Sequence, residues 1–220
     1  MTTGSTRARR NPSPPTGDER RAAILRTAEE LLASRPLREI SIDELARGAG
    51  ISRPTFYFYF ASKNEVLLTL LADVIADADM AVERAIGSLA ADPAAALRRG
   101  LTGVFHAFGG RRGVTLAITE GYAAGGTVHA RWTEAMGHWV DMTASAIDGE
   151  RQRGAAPPGI PARHLAVLLN AMNERVLTDT FASPGGGVLG IAEDSVVDCL
   201  VAAWLQLIYA GRAGQVETSG

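Results

Sequence analysis

Apolar residues recur at spacings of three and four along most of the chain, which is the period of a helix with one apolar face. Leu67, Leu70, Leu71, Val74 and Ala78 form one such face. The pattern predicts about nine helices and no convincing strand, so we expect an all-α fold. The predicted helices cover 16–34, 41–50, 52–59, 62 to beyond 85, 93–109, 114–120, 127–153, 161–181 and 193–210.

Three of the helix starts carry the same signature, a hydroxyl residue followed three positions later by Glu. The pairs are Thr16 with Glu19, Ser41 with Glu44, and Ser62 with Glu65. In such a capping box the hydroxyl accepts from the amide of the Glu, and the carboxylate accepts from the amide of the hydroxyl residue. The signature therefore predicts where the first, second and fourth helices begin.

Residues 56–60 read FYFYF, a run that propensity alone would assign to a strand. The residues before it argue otherwise, because Ser52 is a good N-cap and Pro54 suits the first turn of a helix. We therefore predict that the run ends a two-turn helix. Phe56 and Phe60 are four residues apart, so they share one face and should point to the core.

The second and third predicted helices are short and are joined by a turn that contains Gly50. The third would carry the polar tips of Tyr57 and Tyr59 on the flanks of its Phe stripe. Phenol groups of this kind bond to DNA phosphates. Helix, tight turn and exposed second helix together predict a helix-turn-helix.

The stretch SIDELARGAGISRPTFYFYFASKNEVL resembles the helix-turn-helix of the TetR family of bacterial transcription regulators. It shares the family's Ala and Gly before the turn, a Ser-x-x-Thr, an aromatic-Tyr-x-Tyr-Phe run and a following Lys. The matching positions are Leu45, Ala46, Ala49, Gly50, Ile51, Ser52, Thr55, Phe56, Tyr57, Tyr59, Phe60, Lys63 and, one position late, Val66-Leu67. Further stretches, among them ERQRGAAP and LNAMNER, resemble one group of family repressors that has a narrow apolar ligand channel.

The resemblance implies that the third helix enters the major groove of double-stranded DNA. By matching positions, Arg53, Pro54 and Thr55 would meet bases, Tyr57, Tyr59 and Lys63 would meet phosphates, and Ser52 would reach a phosphate as well as cap. An ion pair is the alternative role for Arg53. For Lys63 the alternative is a solvated surface lysine.

Charge is distributed unevenly along the 220 residues, although the net charge is only −2. Residues 1–75 carry 11 basic and 9 acidic side chains, whereas residues 76–220 carry 11 and 15. We expect a disordered basic arm at 1–17, a DNA-binding domain at 18–75 with its motif at about 41–60, a ligand-binding and dimerisation domain at 76–211, and a disordered tail at 212–220. Arg7, Arg9 and Arg10 would either reach DNA or serve as a solubilising tail.

The predicted domain at 76–211 contains all three tryptophans, together with Phe105, Phe108, Met136 and Met142. An ordinary helical core would account for them, and so would an aromatic pocket for an apolar ligand. The resemblance favours the pocket, because members of the family bind effectors in this region. The predicted ligand-binding residues are Leu97, Leu101, Val104, Phe105, Phe108, Trp132, Met136, Trp139, Met142, Thr143, Asn170, Asn173, Glu174, Leu177 and Trp204.

Two amides, Asn170 and Asn173, interrupt the apolar face of the eighth predicted helix. Buried amides need hydrogen-bond partners, so bonds between helices or a dimer contact would explain both. The resemblance favours ligand contacts that orient a carbonyl or amide group. It also implies a tryptophan where this sequence has Leu97, so we expect a channel of different shape.

Other function classes find little support in the sequence. The four His show no metal-binding spacing and Cys199 has no nucleophile motif, so we predict no metal, cofactor or catalytic residue. An all-α enzyme or a helical interaction module is the alternative to a regulator. The lone cysteine and the lack of a membrane-length apolar run suit a cytoplasmic protein. We expect a homodimer through the last two helices, with DNA and a small apolar effector as its partners.

Overall fold

The computed structural model describes residues 15–182, 188 and 190–210, and this part of the chain is all-α, as predicted. It contains no strand, only an isolated bridge between Val188 and Ile191. The helices are α1 (Gly17–Leu32), α2 (Ile42–Gly48), α3 (Arg53–Tyr59), α4 (Lys63–Leu89), α5 (Pro93–Gly109), α6 (Arg112–Ala124), α7 (Gly126–Gln152), α8 (Ala162–Ala182) and α9 (Glu193–Tyr209). The predicted basic arm with Arg7, Arg9 and Arg10, the loop at 183–187 and the tail at 212–220 lie outside the described residues, except for the last residues of the arm.

The predicted capping signatures form most of the expected hydrogen bonds. Both bonds of the box are present at Thr16 with Glu19 and at Ser41 with Glu44. At α4 the hydroxyl of Ser62 accepts from the amide of Glu65 at 3.2 Å, but the Glu65 carboxylate accepts from Ala61 at 2.6 Å rather than from Ser62. The third box is therefore closed one residue earlier than predicted.

Three features of the helix pattern differ from the prediction. Helix α1 ends at Leu32, and a 3-10 turn at Leu37–Glu39 separates it from α2. Helix α6 covers Arg112–Ala124, longer at both ends than the predicted 114–120. Its ends contain Gly and Ala, which lack the large apolar side chains that the periodicity depends on.

The aromatic run at 56–60 is helical, because local capping and tertiary packing override its strand propensity. The hydroxyl of Ser52 accepts from the amide of Thr55 at 3.3 Å, which starts α3 where predicted. Phe56 and Phe60 are buried and join the core. Each such side chain contributes about 1.5–3 kcal/mol by leaving water, so the pair stabilises a helix too short to form alone.

Helix α4 is shared by the N-terminal helices and the body of the protein. Near its start it contacts α1, and further along it packs against α5 and α7. Gly103 of α5 lies so close to Ala81 that a Cβ at that position would overlap the Ala81 methyl group. None of the helices in the described residues is both long and apolar enough to cross a membrane.

Helix α6 provides a second connection between the N-terminal helices and the body. A Cβ on Gly113 would collide with the backbone carbonyl of Leu32 at the end of α1, so only Gly allows this approach. At the N-cap of α6, Arg111 pairs with Glu29 of α1 at 3.3 Å and with Asp77 of α4 at 3.2 Å. The three helices are therefore held together at one point.

Candidate DNA-binding surface and ligand cavity

Helix α3 presents its polar side chains to solvent and its Phe stripe to the core. Ser52, Arg53, Pro54 and Tyr57 are exposed, and the predicted contacts Thr55, Tyr59 and Lys63 are partly exposed. The predicted DNA-binding residues thus lie on accessible parts of α3 and the start of α4. Their contacts with bases and phosphates stay predictions.

Arg53 is held by its neighbours in the absence of DNA. Its Nη1 lies 2.9 Å from Oδ2 of Asp43. The ion pair named above as the alternative role of Arg53 is therefore present. The guanidinium carbon lies 6.0 Å from the centre of the Tyr57 ring, within the range of a cation–π contact. Both partners of the pair are about half exposed, so exchanging Asp43 for a DNA group would cost little.

Lys63 is not a freely solvated lysine. Its ammonium nitrogen donates to the carbonyl oxygens of Leu37 at 2.8 Å, Arg38 at 3.3 Å and Ile40 at 3.1 Å. An ammonium group has three N–H donors, so all three are engaged with the 3-10 turn and the residue that follows it. These bonds fix the position of the positive charge beside α2 and the start of α4.

A largely apolar cavity lies in the body, between α4, α5, α7, α8 and α9. Its walls enclose about 950 Å³ not occupied by protein atoms, including the part open to solvent. Apolar walls that carry a few polar side chains are typical of small-molecule binding sites. The structure brings together on its walls Leu97, Leu101, Val104, Phe108, Trp132, Met136, Trp139, Thr143, Asn170, Asn173, Glu174, Leu177 and Trp204.

Two of the predicted ligand-binding residues do not line this cavity. Phe105 turns to α8, where its ring lies 5.7 Å from that of Phe181. Met142 lines an outer groove between α4 and α7 instead. Each is next in sequence to a residue that does line the cavity, Val104 or Thr143, and one step along a helix turns the side chain by about 100°.

One wall of the cavity, formed by α4, was not among the predicted ligand-binding residues. Val82, Ala85, Ile86 and Leu89 of α4 line it, together with Gly100, Ala146, Ile147, Glu150 and Ile208. The α4 residues continue the apolar spacing of three and four that marks the start of the helix, and that continuity was the available signal. Leu97 lines the cavity at the position where the resemblance implied a tryptophan. Leucine is smaller than tryptophan, so it leaves more space at this point of the wall.

Each tryptophan indole is hydrogen-bonded to a polar side chain of another helix. Trp132 donates to Glu174 at 2.7 Å, Trp139 to Asp79 at 2.6 Å, and Trp204 to Asn173 at 3.1 Å. An indole N–H only donates, so its partner must present an acceptor, which in all three pairs is a side-chain oxygen. These bonds fix the orientation of three aromatic walls and explain three polar residues in an apolar region.

The two cavity amides are bonded in opposite ways. Asn170 uses its Nδ2 to donate to Oγ1 of Thr143 at 3.2 Å and to the carbonyl of Ala166 at 2.9 Å. Asn173 instead accepts from Trp204 through its Oδ1, and its Nδ2 has no partner among the described residues. The amide of Asn173 is therefore the available donor for a ligand carbonyl, whereas Asn170 has an oxygen to offer.

A buried carboxylate, Glu150, lies on the cavity wall near the end of α7. It accepts from Nε of Arg153 at 2.8 Å, from Nη2 of the same residue, and from the hydroxyl of Tyr209 at 2.8 Å. The bonds from Arg153 hold the pKa of Glu150 below its ordinary value, while burial and the nearby carboxylate raise the pKa of Tyr209. The carboxylate stays ionised and joins the end of α7 to the end of α9.

Comparison with known proteins identifies the family. Residues 24–70 match the model described as bacterial regulatory proteins, tetR family. Residues 97–210 match the model of the C-terminal domain of the transcriptional regulator EthR. The first match spans the helix-turn-helix and the second spans most of the cavity.

Full-length relatives agree with both matches. The HTH-type transcriptional regulator EthR of Mycobacterium tuberculosis is 49% identical over 200 residues, which is 89% of each chain. Its namesake from Mycolicibacterium smegmatis is 45% identical over 212 residues, 95% of this chain and 96% of the relative.

A solved structure shows the same fold. It is that of NalD, the secondary repressor of the MexAB-OprM multidrug efflux pump in Pseudomonas aeruginosa, which matches with a TM-score of 0.67 at 18% identity and covers 89% of this chain and 98% of that one. The helix-turn-helix, the two family models and the full-length relatives agree. The chain belongs to the TetR family of DNA-binding transcriptional regulators, and its C-terminal domain is of the EthR type.

Proposed function

We propose that this regulator is a homodimeric repressor, which binds an operator through α3 and is released when an apolar effector fills the cavity. The observation that carries the proposal is that α4 both starts beside α3 and forms one wall of the cavity. A ligand that fits only one arrangement of α4 would shift the population toward that arrangement. Binding of effector and of operator would then oppose each other.

Residues 18–75 form the DNA-binding part of this proposal. Arg53, Pro54 and Thr55 meet bases, while Tyr57, Tyr59 and Ser52 meet phosphates, with Lys63 adding a fixed positive charge beside them. The pairs that Arg53 makes with Asp43 and Tyr57 support this role, because they hold its guanidinium at the exposed surface. Several phosphate contacts per subunit make the affinity depend steeply on salt.

Residues 76–211 bind the effector and form the dimer. The effector is elongated and largely apolar, with one hydrogen-bond acceptor that meets the Nδ2 of Asn173. Burying about 200 Å² of its apolar surface contributes about 5 kcal/mol at 25 cal/mol/Å², before the cost of association. Micromolar affinity therefore requires that the ligand acceptor also be satisfied.

The dimer forms through α8 and α9. Val167 and Leu168 of α8 and Leu207 of α9 are 46%, 58% and 52% exposed, and exposed large apolar side chains on both helices favour an interaction surface there. Two-fold symmetry through this surface would relate the two copies of α3, which bind the two half-sites of one operator. Their spacing on DNA is then one helical turn, about 34–36 Å.

The experiment that tests the proposal has two stages. Selection of duplexes from a random-sequence library by the purified protein should yield a two-fold symmetric consensus. Methyl esters of saturated fatty acids, in graded chain lengths, should then release the selected duplex in a band-shift assay. Selection without any consensus would reject the DNA-binding part, and esters that bind without releasing DNA would reject the ligand-responsive part.

A further inference from the structure

Phe58 is the most exposed large apolar side chain in the part of the chain that the structure describes, at 84%. It lies in the middle of the aromatic run, two residues from Phe56 and two from Phe60, both of which are buried. At 100° per residue, a position two steps from the buried stripe on either side points away from the core. Phe58 therefore lies on the outermost side of α3.

Stability gives no reason for a phenylalanine at this position. Its ring meets the edge of Tyr59 at 5.2 Å between centres, and otherwise faces solvent. An apolar side chain contributes by leaving water, and Phe58 has hardly left it. The ring would lose most of its contact with water only when another molecule covers this side of α3.

We propose that Phe58 contacts the 5-methyl group of a thymine in the major groove and so specifies a T·A pair in each half-site. This inference rests on the proposed binding of α3 to DNA and adds a residue and a base to it. The thymine methyl is the apolar group that base pairs present in the major groove, and phenylalanine is among the side chains that contact it.

The surroundings of Phe58 favour DNA over a protein partner. Pro54, four residues earlier, lies on the same face, with Arg53 and Tyr57 on one flank and Thr55 and Tyr59 on the other. Helix α3 contains no Asp or Glu, and the nearby carboxylate of Asp43 is paired with Arg53. An apolar strip flanked by a cation and hydroxyl groups complements methyl groups between two phosphate backbones.

The test replaces single thymidines by deoxyuridine in the duplex that the wild-type protein selects from a random-sequence library. Deoxyuridine keeps the base pair and removes only the methyl group. One thymine in each half-site should respond. Replacing it in a single half-site should lower the affinity of the wild-type protein about fourfold, the value expected for one buried carbon. With Phe58→Ala the same replacement should have no effect, and Phe58→Leu, which keeps an apolar contact, should retain part of it.

Thermal unfolding of the three proteins provides the control, and equal midpoints are expected because Phe58 is exposed. Should Phe58→Ala unfold early, Phe58→Leu and Phe58→Asn carry the comparison. If deoxyuridine lowers the affinity of Phe58→Ala for the selected duplex as much as it lowers that of wild type, this inference is overturned and the proposed function stands. A wild-type protein that selects no sequence would overturn both.

Discussion

The indole N–H of Trp139 donates to Oδ1 of Asp79 at 2.6 Å, and this bond connects a wall of the cavity to α4. Trp139 lies on α7 and lines the cavity, while Asp79 lies on the helix that begins beside α3. A ligand that turns the Trp139 ring must break the bond or move Asp79 with it. The pair therefore connects the wall of the cavity directly to the helix that begins beside α3.

Replacing Trp139 by Phe should weaken the coupling between ligand and DNA. The variant keeps an aromatic wall but has no N–H for Asp79. We predict DNA affinity within a few-fold of wild type and ligand-induced release that falls below fivefold, the lower end of usual allosteric coupling. Anisotropy titrations of a labelled duplex with and without methyl ester would measure both.

The matched control is Trp132→Phe, which removes an indole bond to Glu174 of α8 rather than to α4. It should change ligand affinity and leave the coupling factor close to wild type. Equal loss of coupling in both variants would show that the Trp139–Asp79 bond has no special part in transmission.

Replacing Asn173 by Ala should weaken ligand binding without affecting DNA binding in the absence of ligand. The change removes the amide that is available to a ligand acceptor, and one lost buried hydrogen bond costs about 1–3 kcal/mol. Quenching of tryptophan fluorescence on titration with a methyl ester measures this affinity, since three indoles surround the site.

A straight-chain alkane of equal length provides the comparison for Asn173→Ala. It has no acceptor, so the substitution should alter its affinity much less than that of the ester. If ester and alkane lose affinity equally, or if the variant no longer binds DNA, Asn173 acts mainly by supporting Trp204.

Replacing Leu168 by Glu should break the proposed dimer. Leu168 is 58% exposed on α8, and a two-fold interface would bury two unpaired carboxylates in contact with apolar surface. Sedimentation analysis at micromolar concentration should show monomer for this variant and dimer for wild type. Met80→Glu, at a 46% exposed position of α4, should remain dimeric, and a monomeric wild type would refute the interface.

Replacing Lys63 by Ala should have two separate effects. Loss of three bonds to the carbonyls of Leu37, Arg38 and Ile40 should lower the free energy of unfolding by about 1–3 kcal/mol. Loss of its charge should weaken binding to all DNA sequences about equally and reduce the slope of log affinity against log salt by about one. A lowered unfolding midpoint with an unchanged salt slope would assign Lys63 to folding alone.

Local chemistry made much of the fold predictable. Ser52 and Pro54 mark a helix start within a few residues, and they correctly outweighed the strand propensity of FYFYF. The apolar spacing of α5 and α7 likewise placed Leu101, Phe108 and Trp132 on inward faces, and the family resemblance pointed to a pocket there. Such signals lie within one or two turns of helix, so the sequence displays them directly.

Contacts between distant segments could not be predicted in this way. Asp79 and Trp139 are 60 residues apart, and nothing near either one indicates the other. The carbonyl partners of Lys63 belong to a 3-10 turn and the residue that follows it, a segment that lacks a periodic signature. The aromatic and Met content of the region, read with the resemblance, predicts Phe105 and Met142 as ligand contacts, whereas packing turns Phe105 toward Phe181 and Met142 toward an outer groove.

The central claim is that ligand in the cavity and DNA on α3 exclude each other. The most direct measurement is the affinity of the protein for its selected duplex, by anisotropy, at increasing concentrations of a methyl ester whose own binding is followed by tryptophan fluorescence. We predict that DNA affinity falls as the cavity fills and levels off when it is full, and that DNA weakens ester binding by the same factor. DNA affinity that stays constant while the cavity fills would contradict the claim.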